Sequence, residues 1–515
     1  MKNHLLSVLV TAFLLTSFAQ AQITKTLIGS SYNMYSVLNT SNNAVHSSDE
    51  LGTISFTHRQ NADLTDGSGV IQMSYSTDGG ATWDYVLTHD PTTQINRFPS
   101  GVIVDPSGAG DLANAQAVVV GPTLINDNWV GVFTNNIALD NSEGRENLIL
   151  DSESTYPSFT LSSMMLDDNN VVRVCGSNNN EIDLVITTGT YENDGYYWTQ
   201  QNFVTEGLVE LYDYSMAFSK DGNTGYLIAQ GTDANGQLVP FIHHTIDAGV
   251  TWVQMSHDFT SIEGYVAPAY NGGIDCAVDA NGTLHMISSI FEQIDSAEEI
   301  NPKLYDITVN TSSWSANYIA NINTEEVLDE NNAAIHENGY NHRIQAARSN
   351  DGSKVFAVWT DVNLEEFDVE SLEYPDIYAY GIDINTGLST GIKNFTEATN
   401  YEGDNFWMFT SPVAATTDDG YALPTTTSVA DAESDLAAME HYYVSGIEFN
   451  DDDFIVGLEE FNAQISVNSF PNPATTIANI EISLENSADI AVSLTNTLGQ
   501  EVYSSVNNFK TGLNT

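Results

Sequence analysis

Residues 76–83 read STDGGATW and residues 245–252 read TIDAGVTW. Both fit Ser/Thr-x-Asp-x-Gly-x-Thr-Trp, 169 residues apart. Within such a stretch the Asp carboxylate and the Ser or Thr hydroxyl can close a tight turn, and Gly takes a backbone angle closed to other residues. The large Trp ring then packs against whatever lies beside the turn. This assigns structural roles to Ser76, Asp78, Gly80, Thr82 and Trp83, and to Thr245, Asp247, Gly249, Thr251 and Trp252.

Outward from these turns a looser pattern recurs: an apolar run, an Asp-containing turn, a second apolar run. MAFSKDGNTGYLIAQG, IDCAVDANGTLHMISS and AARSNDGSKVFAVWTD are clear copies. Asp49, Asp105, Asp167, Asp221, Asp279, Asp351 and Asp418 mark seven of them, with a mean spacing of about 61 residues. Further strand-like runs follow in each unit, with alternating apolar residues and no sustained helical period. Units of this length, with three or four strands each, predict an all-β fold: a seven-bladed β-propeller. The apolar pattern of Ile23 to Gly29 suggests an outer strand that closes the last blade onto the first.

The composition agrees with a folded, exported chain. Hydrophobic residues make up 42%, with 24 Tyr, 21 Phe and 7 Trp, enough to build a core despite a formal net charge of -56. That charge disfavours nucleic acid and anionic membranes as partners. Residues 1–21 have a basic start, an apolar run and an Ala-Gln-Ala end, which reads as a secretory signal peptide. No later run is long enough for a transmembrane segment. The two cysteines, Cys175 and Cys276, lie in apolar runs and fit either a disulfide or buried free thiols.

The repeated turn resembles the Asp-box of sialidases and other BNR-repeat propellers. That resemblance implies a turn between the third and fourth strands of a blade, with the Trp wedged between blades. The C-terminal stretch from Ile465 onward resembles the type A sorting domain of the Bacteroidetes type IX secretion system, through FPNPATT (470–476) and the turn at Leu498-Gly499-Gln500. It implies a small β-sandwich read by that machinery and an outer-surface or secreted destination. The chain stops at KTGLNT, before a Gly-x-Tyr strand and a basic last strand of that family, so an incomplete sorting domain is expected. The expected organisation is a signal peptide (1–21), a propeller (22–449), a linker (450–464) and a sorting domain (465–515).

No metalloprotease, nucleophile-elbow, phosphate-loop or dinucleotide motif is present. Asp451-Asp452-Asp453 and Asp167-Asp168-Asn169-Asn170 are the candidate Ca²⁺ ligands, although neither follows an EF-hand frame and a hydrated acidic loop is the plainer reading of both. In a propeller, ligands meet the loops that lead into each innermost strand. Here those loops carry Arg97, Tyr156, Asp213, Tyr214, Tyr265, Tyr270, His342, Arg343 and Trp407. Aromatic faces and guanidinium groups suit sugar rings and carboxylates. Packing between blades is the plainer role for the same aromatics. Two functions follow: a propeller that binds a glycan or an extracellular protein at its channel mouth, or a sialidase-like glycoside hydrolase. The second requires three arginines around one carboxylate, with Arg97 and Arg343 as two of them. A missing Arg-Ile-Pro signature weighs toward binding.

Overall fold

The computed structural model describes residues 22–515 except 41, 61–68, 90–94, 127, 141, 143, 151–156, 179–181, 194, 257–258, 260–264, 269–273, 293–301, 312, 324–341, 365, 368–373, 431–436, 456–464, 471–478, 485–487, 496–500, 511 and 515. The expected signal peptide, Tyr156, Tyr270, the Pro-Asn-Pro turn and the turn at 498–500 lie outside the described residues. The chain divides into two compact units, Met1–Ile455 and Val456–Thr515.

Among the described residues, the first unit contains seven blade sheets, built in chain order from antiparallel neighbours. Blade 1 is Val45–Ser48, Thr53–Arg59, Ile71–Ser76 and Asp84–His89. Blade 2 is Ser100–Val104, Gln116–Ile125, Asn128–Ala138 and Gly144–Leu150. Blade 3 runs from Pro157–Leu166 through Val172–Asn178 and Leu184–Glu192 to Gly195–Phe203. Blade 4 runs from Leu208–Phe218 through Gly225–Asp233 and Leu238–Thr245 to Val253–Met255. Blade 5 has Ile274–Val278 innermost, then Leu284–Glu292, Pro302–Val309 and Trp314–Asn321. Blade 6 has Gln345–Ser349 innermost, then Lys354–Val362, Pro375–Asp383 and Lys393–Asn394.

Blade 7 closes the ring. Phe409–Thr410, Thr425–Ala430 and Met439–Ser445 come from the end of the unit, and Thr24–Ser31 from its start supplies the outer strand, paired from Thr24↔Ser445 to Ser31↔Met439. This is the closure expected from the apolar pattern of Ile23 to Gly29. The innermost strands touch their neighbours in an unbroken circuit, blade 1 to 7 and back to 1. The fold is therefore a seven-bladed β-propeller. Beyond Pro412, which has no N–H to give to the ladder, Val413–Thr416 leaves its own sheet and pairs in parallel with blade 6.

The core follows from the same ring. Among the described residues, buried apolar side chains gather into seven clusters, one at each seam between adjacent blades. At the seam of blades 3 and 4, for instance, Leu184 and Phe203 meet Met216 and Phe218. A single blade is covered on neither face until both neighbours are in place, so the sheets stabilise one another around the circle. Cys175 and Cys276 are buried free thiols within two of these seams.

The seven marker aspartates all fall between the first and second strands of their blades. Asp105 accepts hydrogen bonds from the N–H groups of Ser107, Ala109 and Gly110 at 2.9, 2.8 and 2.7 Å. Asp279 accepts from those of Asn281 and Thr283 at 2.9 and 2.7 Å. Asp49 instead reaches across the closure to the N–H of Thr416 at 2.9 Å.

The two Ser/Thr-x-Asp-x-Gly-x-Thr-Trp turns join third and fourth strands and are nearly superimposable in their bonding. Ser76 and Thr245 hydroxyls each donate to Asp78 and Asp247 at 2.8 Å. The Thr82 and Thr251 hydroxyls donate to the same carboxylates at 2.6 Å. The indole N–H of Trp83 donates to Gly80 O at 3.1 Å, that of Trp252 to Gly249 O at 3.0 Å. These donors hold the carboxyl of Asp78 down at about 2, with Thr82 the main contributor. Trp252 meets Phe203 of blade 3 and Phe218 of blade 4 edge to face, and Trp83 meets Tyr443 of blade 7.

The propeller unit extends past the expected boundary at 449. Asp453 pairs with Lys393 at 2.8 Å, and Phe454 is buried in the core between blades 6 and 7. In the second unit, Ile465–Phe470, Asn479–Leu484 and Gly512–Asn514 form one sheet, and Ala488–Thr495 pairs with Glu501–Phe509 in another.

Candidate functional site

The loops leading into the innermost strands share one face of the propeller with the far ends of the second strands. Three of these loops have the same local form. In sequence each has an Asn followed by two residues, and those two, Arg97-Phe98, His342-Arg343 and Phe406-Trp407, end two residues before an innermost strand. The third residue of each takes a left-handed conformation, with φ of 47° at Phe98, 43° at Arg343 and 48° at Trp407. Such backbone is costly for a bulky residue and is held here by its surroundings. It turns the third side chain into the protein, where Phe98, Arg343 and Trp407 are all buried. The middle residue is left toward the surface: Arg97, His342 and Phe406 are each only half-buried.

This register separates the two arginines that the sequence places at like positions. Arg343 does not face the mouth. It is 1% exposed, and its Nη2 donates to the carbonyls of Val37 at 2.7 Å and Leu38 at 3.3 Å. Its guanidinium lies 5.1 Å from the Phe409 ring centre, and burial pushes its pKa down to about 9. Trp407 likewise packs in the core between blades 7 and 1. Asp213 is buried, and its carboxylate accepts from the N–H of Tyr214 at 2.8 Å. Tyr214 is buried too, its hydroxyl accepting from Ser177 N of blade 3 at 3.2 Å. All four of these side chains are buried. Tyr265 lies in the strand Tyr265–Pro268 of blade 5, of which only the backbone is described.

The channel mouth carries a strap that sequence reasoning missed. Its described residues, 32–40 and 42–44, lie between the closing strand and blade 1 and include a 3-10 turn, Met34–Ser36, capped by Asn33. Phe98 N donates to Tyr35 O at 3.0 Å, and Asn43 Nδ2 donates to Met164 O at 3.1 Å. With Arg343 holding Val37, the strap is tied to blades 2, 3 and 6. Its end enters the axis, where Asn42 and Asn43 line a cavity with Tyr214, Asp275, Gln345 and Thr410. The strap therefore forms part of the wall of this cavity, together with the innermost strands of blades 4 to 7.

Beside the strap, two arginines meet one ring. Arg97 lies 4.2 Å and Arg59 5.9 Å from the centre of Tyr35. Arg59 is fully buried at the end of the second strand of blade 1, its Nη1 donating to Asn33 Oδ1. Burial first, and then the charge of Arg97, push its pKa down to about 9. Phe98 continues the aromatic run, edge-on to Tyr35 at 5.9 Å and tilted against Trp129 at 6.4 Å. Arg59 looks like a plain strand residue in sequence. The signal that finds it is its position, because second strands end on the face where first strands begin.

The acidic clusters are engaged locally. Asp167 accepts from the N–H groups of Asn169 and Val171 and pairs with Arg173 at 2.8 Å. Asp453 accepts from Asn450 N at 2.8 Å besides binding Lys393. Among the described residues, no three His, Cys, Asp or Glu side chains are grouped as metal ligands, and no helix is long and apolar enough to cross a membrane.

The secretion system C-terminal sorting domain family matches residues 468–515. The tail is thus a sorting domain, and the protein is one delivered to the outer cell surface or beyond it. A search of the curated proteins finds no match. Among solved structures, the chain is similar to a PL25 polysaccharide lyase, an ulvan lyase, at 9% identity and a TM-score of 0.46, covering 84% of this chain and 99% of that one. It is similar to the phage phi92 endosialidase at 10% identity and a TM-score of 0.41, covering 94% and 79%. It is also similar to AofleA from Arthrobotrys oligospora at 12% identity and a TM-score of 0.38, covering 83% and 88%.

Proposed function

We propose that this exported propeller binds an extracellular glycan on the face that carries the strap, in the region where blades 1 and 2 meet. One observation carries the reading: the half-buried Arg97 and Tyr35 and the Trp129 ring, 36% exposed, lie close together there, joined through the buried Phe98 ring. Aromatic faces pack on the apolar faces of sugar rings, and a guanidinium supplies directed donors. The two repeated turns act as Asp-boxes, fixing blades 1 and 4, and take no part in binding. An extracellular protein is the alternative ligand. A sialidase-like hydrolase is the other reading from sequence, but its three-arginine clamp would need Arg343, which is buried with its Nη2 on two carbonyls of the strap.

A glycan array read beside a fluorogenic sialoside assay tests this. Binding without turnover, lost in Trp129→Ala, is the expected result. Turnover would replace binding by hydrolysis. Silence in both assays would remove the glycan.

A further inference from the structure

Two buried histidines lie where the closing strand passes between blades 7 and 1. His441 stands on Met439–Ser445, the strand with which Thr24–Ser31 pairs, and His58 stands on the second strand of blade 1. Both are 0% exposed, with ring centres 5.1 Å apart and the Phe56 ring against each.

The hydrogen bonds fix which nitrogen of each ring carries its proton. Ser31 Oγ donates its one proton to Asn33 O at 3.0 Å, so toward His441 Nε2, 2.9 Å away, it accepts. His441 is therefore protonated at Nε2, and its Nδ1 accepts from the Ser428 hydroxyl at 2.7 Å. His58 Nδ1 donates to Arg59 O at 2.7 Å, and its Nε2 accepts from Ser74 at 3.1 Å. Each ring is satisfied while neutral. A second proton on either would meet a hydroxyl already aimed at that nitrogen, and would place a buried charge beside the other ring.

The bonds from Ser428 through His441 and Ser31 end at Asn33, which caps the strap turn and accepts from Tyr35 N at 3.3 Å. The closing strand and the strap are thus fastened to blade 7 through Ser31. The other titratable groups at this end are Arg59, turned to Asn33 Oδ1, and Tyr32 and Tyr35 of the strap. Glu440 and Tyr442 flank His441 on the opposite face of its strand, and His46 and Tyr75 lie on the face of blade 1 away from His58. Lys25, the charged residue of the closing strand, sits at its other end against Asp404. Burial dominates the protonation of both rings, and no described carboxylate offsets it.

We propose that this pair is an acid-released latch: while both rings are neutral His441 pins Ser31, and protonation frees the closing strand together with the strap that carries Tyr35. The latch stands whether or not the face beside it binds a glycan.

Once released, each ring is in water and takes a proton near pH 6.5. Opening is therefore insensitive to pH above that point, and below it becomes easier by up to about tenfold per pH unit for each released ring. Hydrogen exchange of the full chain, at about pH 7.5 and about pH 5 and corrected for intrinsic rates, tests this. Protection of Thr24–Ser31 and of the strap should fall at least about tenfold at the lower pH. At that pH these amides should exchange through an opening that responds weakly to urea, unlike those of Gly225–Asp233 in blade 4, which follow unfolding of the whole ring. Equal protection and equal urea dependence in both places would mean that acid opens the ring as one unit, and overturns the latch. Protection that does not change with pH overturns it as well. His441→Gln keeps a donor toward Ser31 without a titrating ring and should shrink the acid response, and a response as large as in the native chain would remove His441 from the device. Ser31→Ala should loosen the closing strand and the strap already at about pH 7.5. Unchanged protection there would show that Ser31 fastens neither.

Discussion

Arg343, in the loop that leads into blade 6, donates to the carbonyl of Val37 at 2.7 Å, joining residues 306 apart in the chain. It ties a strap that begins at the closing strand of blade 7 to a blade most of the ring away in sequence. The guanidinium is neutralised by no described carboxylate, so its role is to satisfy main-chain oxygens that burial would otherwise leave bare.

Replacing Arg343 by Gln should therefore cost about 1–3 kcal/mol, the usual penalty for stranding buried acceptors. Urea unfolding measures the loss, and hydrogen exchange should locate it at the amides of residues 35–44. A substitution without effect on either would mean the strap is held by its other contacts alone.

The repeated turns make a paired prediction. Gly79 and Gly80 both have positive φ, 72° and 91°. A Cβ on Gly79 meets nothing within 4 Å, whereas one on Gly80 would lie 2.2 Å from the Tyr443 ring. Gly79→Ala should cost about 1–2 kcal/mol from backbone strain alone. Gly80→Ala should cost a further 1–3 kcal/mol, roughly, by forcing blade 1 away from blade 7. Equal thermal shifts in the two variants would contradict the close approach.

Trp252 sits half-buried in the seam of blades 3 and 4, against Phe203 and Phe218. Its replacement by Ala should remove about 2–4 kcal/mol, somewhat below a fully buried aromatic. Trp252→Phe should recover most of that in a thermal melt, because the seam needs the ring more than the indole N–H.

Buried histidines set a pH dependence. His58 and His441 face each other across the closure of blades 7 and 1, ring centres 5.1 Å apart. Burial pushes His58 down to about 4 and His441 well below its ordinary value, the latter helped by His58. Burial, then Arg348, lowers His46 to about 4. Unfolded, each ring takes a proton near pH 6.5, so between 6.5 and 4 the unfolded chain binds more protons than the native one. Their stabilisation is complete above 6.5 and falls as the pH drops through that window, on the order of 3 kcal/mol for a shift like that of His58. His285 acts in the opposite sense. Burial disfavours its charge, but Asp306 and then Asp279 outweigh it and push the pKa up to about 10. Its contribution is complete below 6.5 and fades as the pH rises toward 10. Melting temperature should thus peak near pH 6.5 and decline on both sides. A flat profile from pH 4.5 to 9 would refute this account.

Period and turn chemistry are local properties, and they were readable directly. Seven Asp-bearing hairpins required seven sheets, because Asp, Asn and Gly at fixed intervals permit only short reversals between alternating apolar runs. The closing strand showed itself for the same reason, as did the bonding of Asp78 and Asp247, which involves residues no more than four apart.

The mouth was decided by contacts distant in the chain. Arg97 and Arg343 occupy loops that look alike, but a one-residue offset relative to the left-handed position sends one to the surface and the other inside. Tyr35 and Arg59 became part of the site because closure of the ring laid the strap against the end of blade 1. Hydrophobic alternation determined that this chain is a propeller and hairpin residues determined how many blades it has. Which side chains meet at its mouth depended on how the ring closes, since burial and partnership there are set by neighbours that only the folded circle brings together.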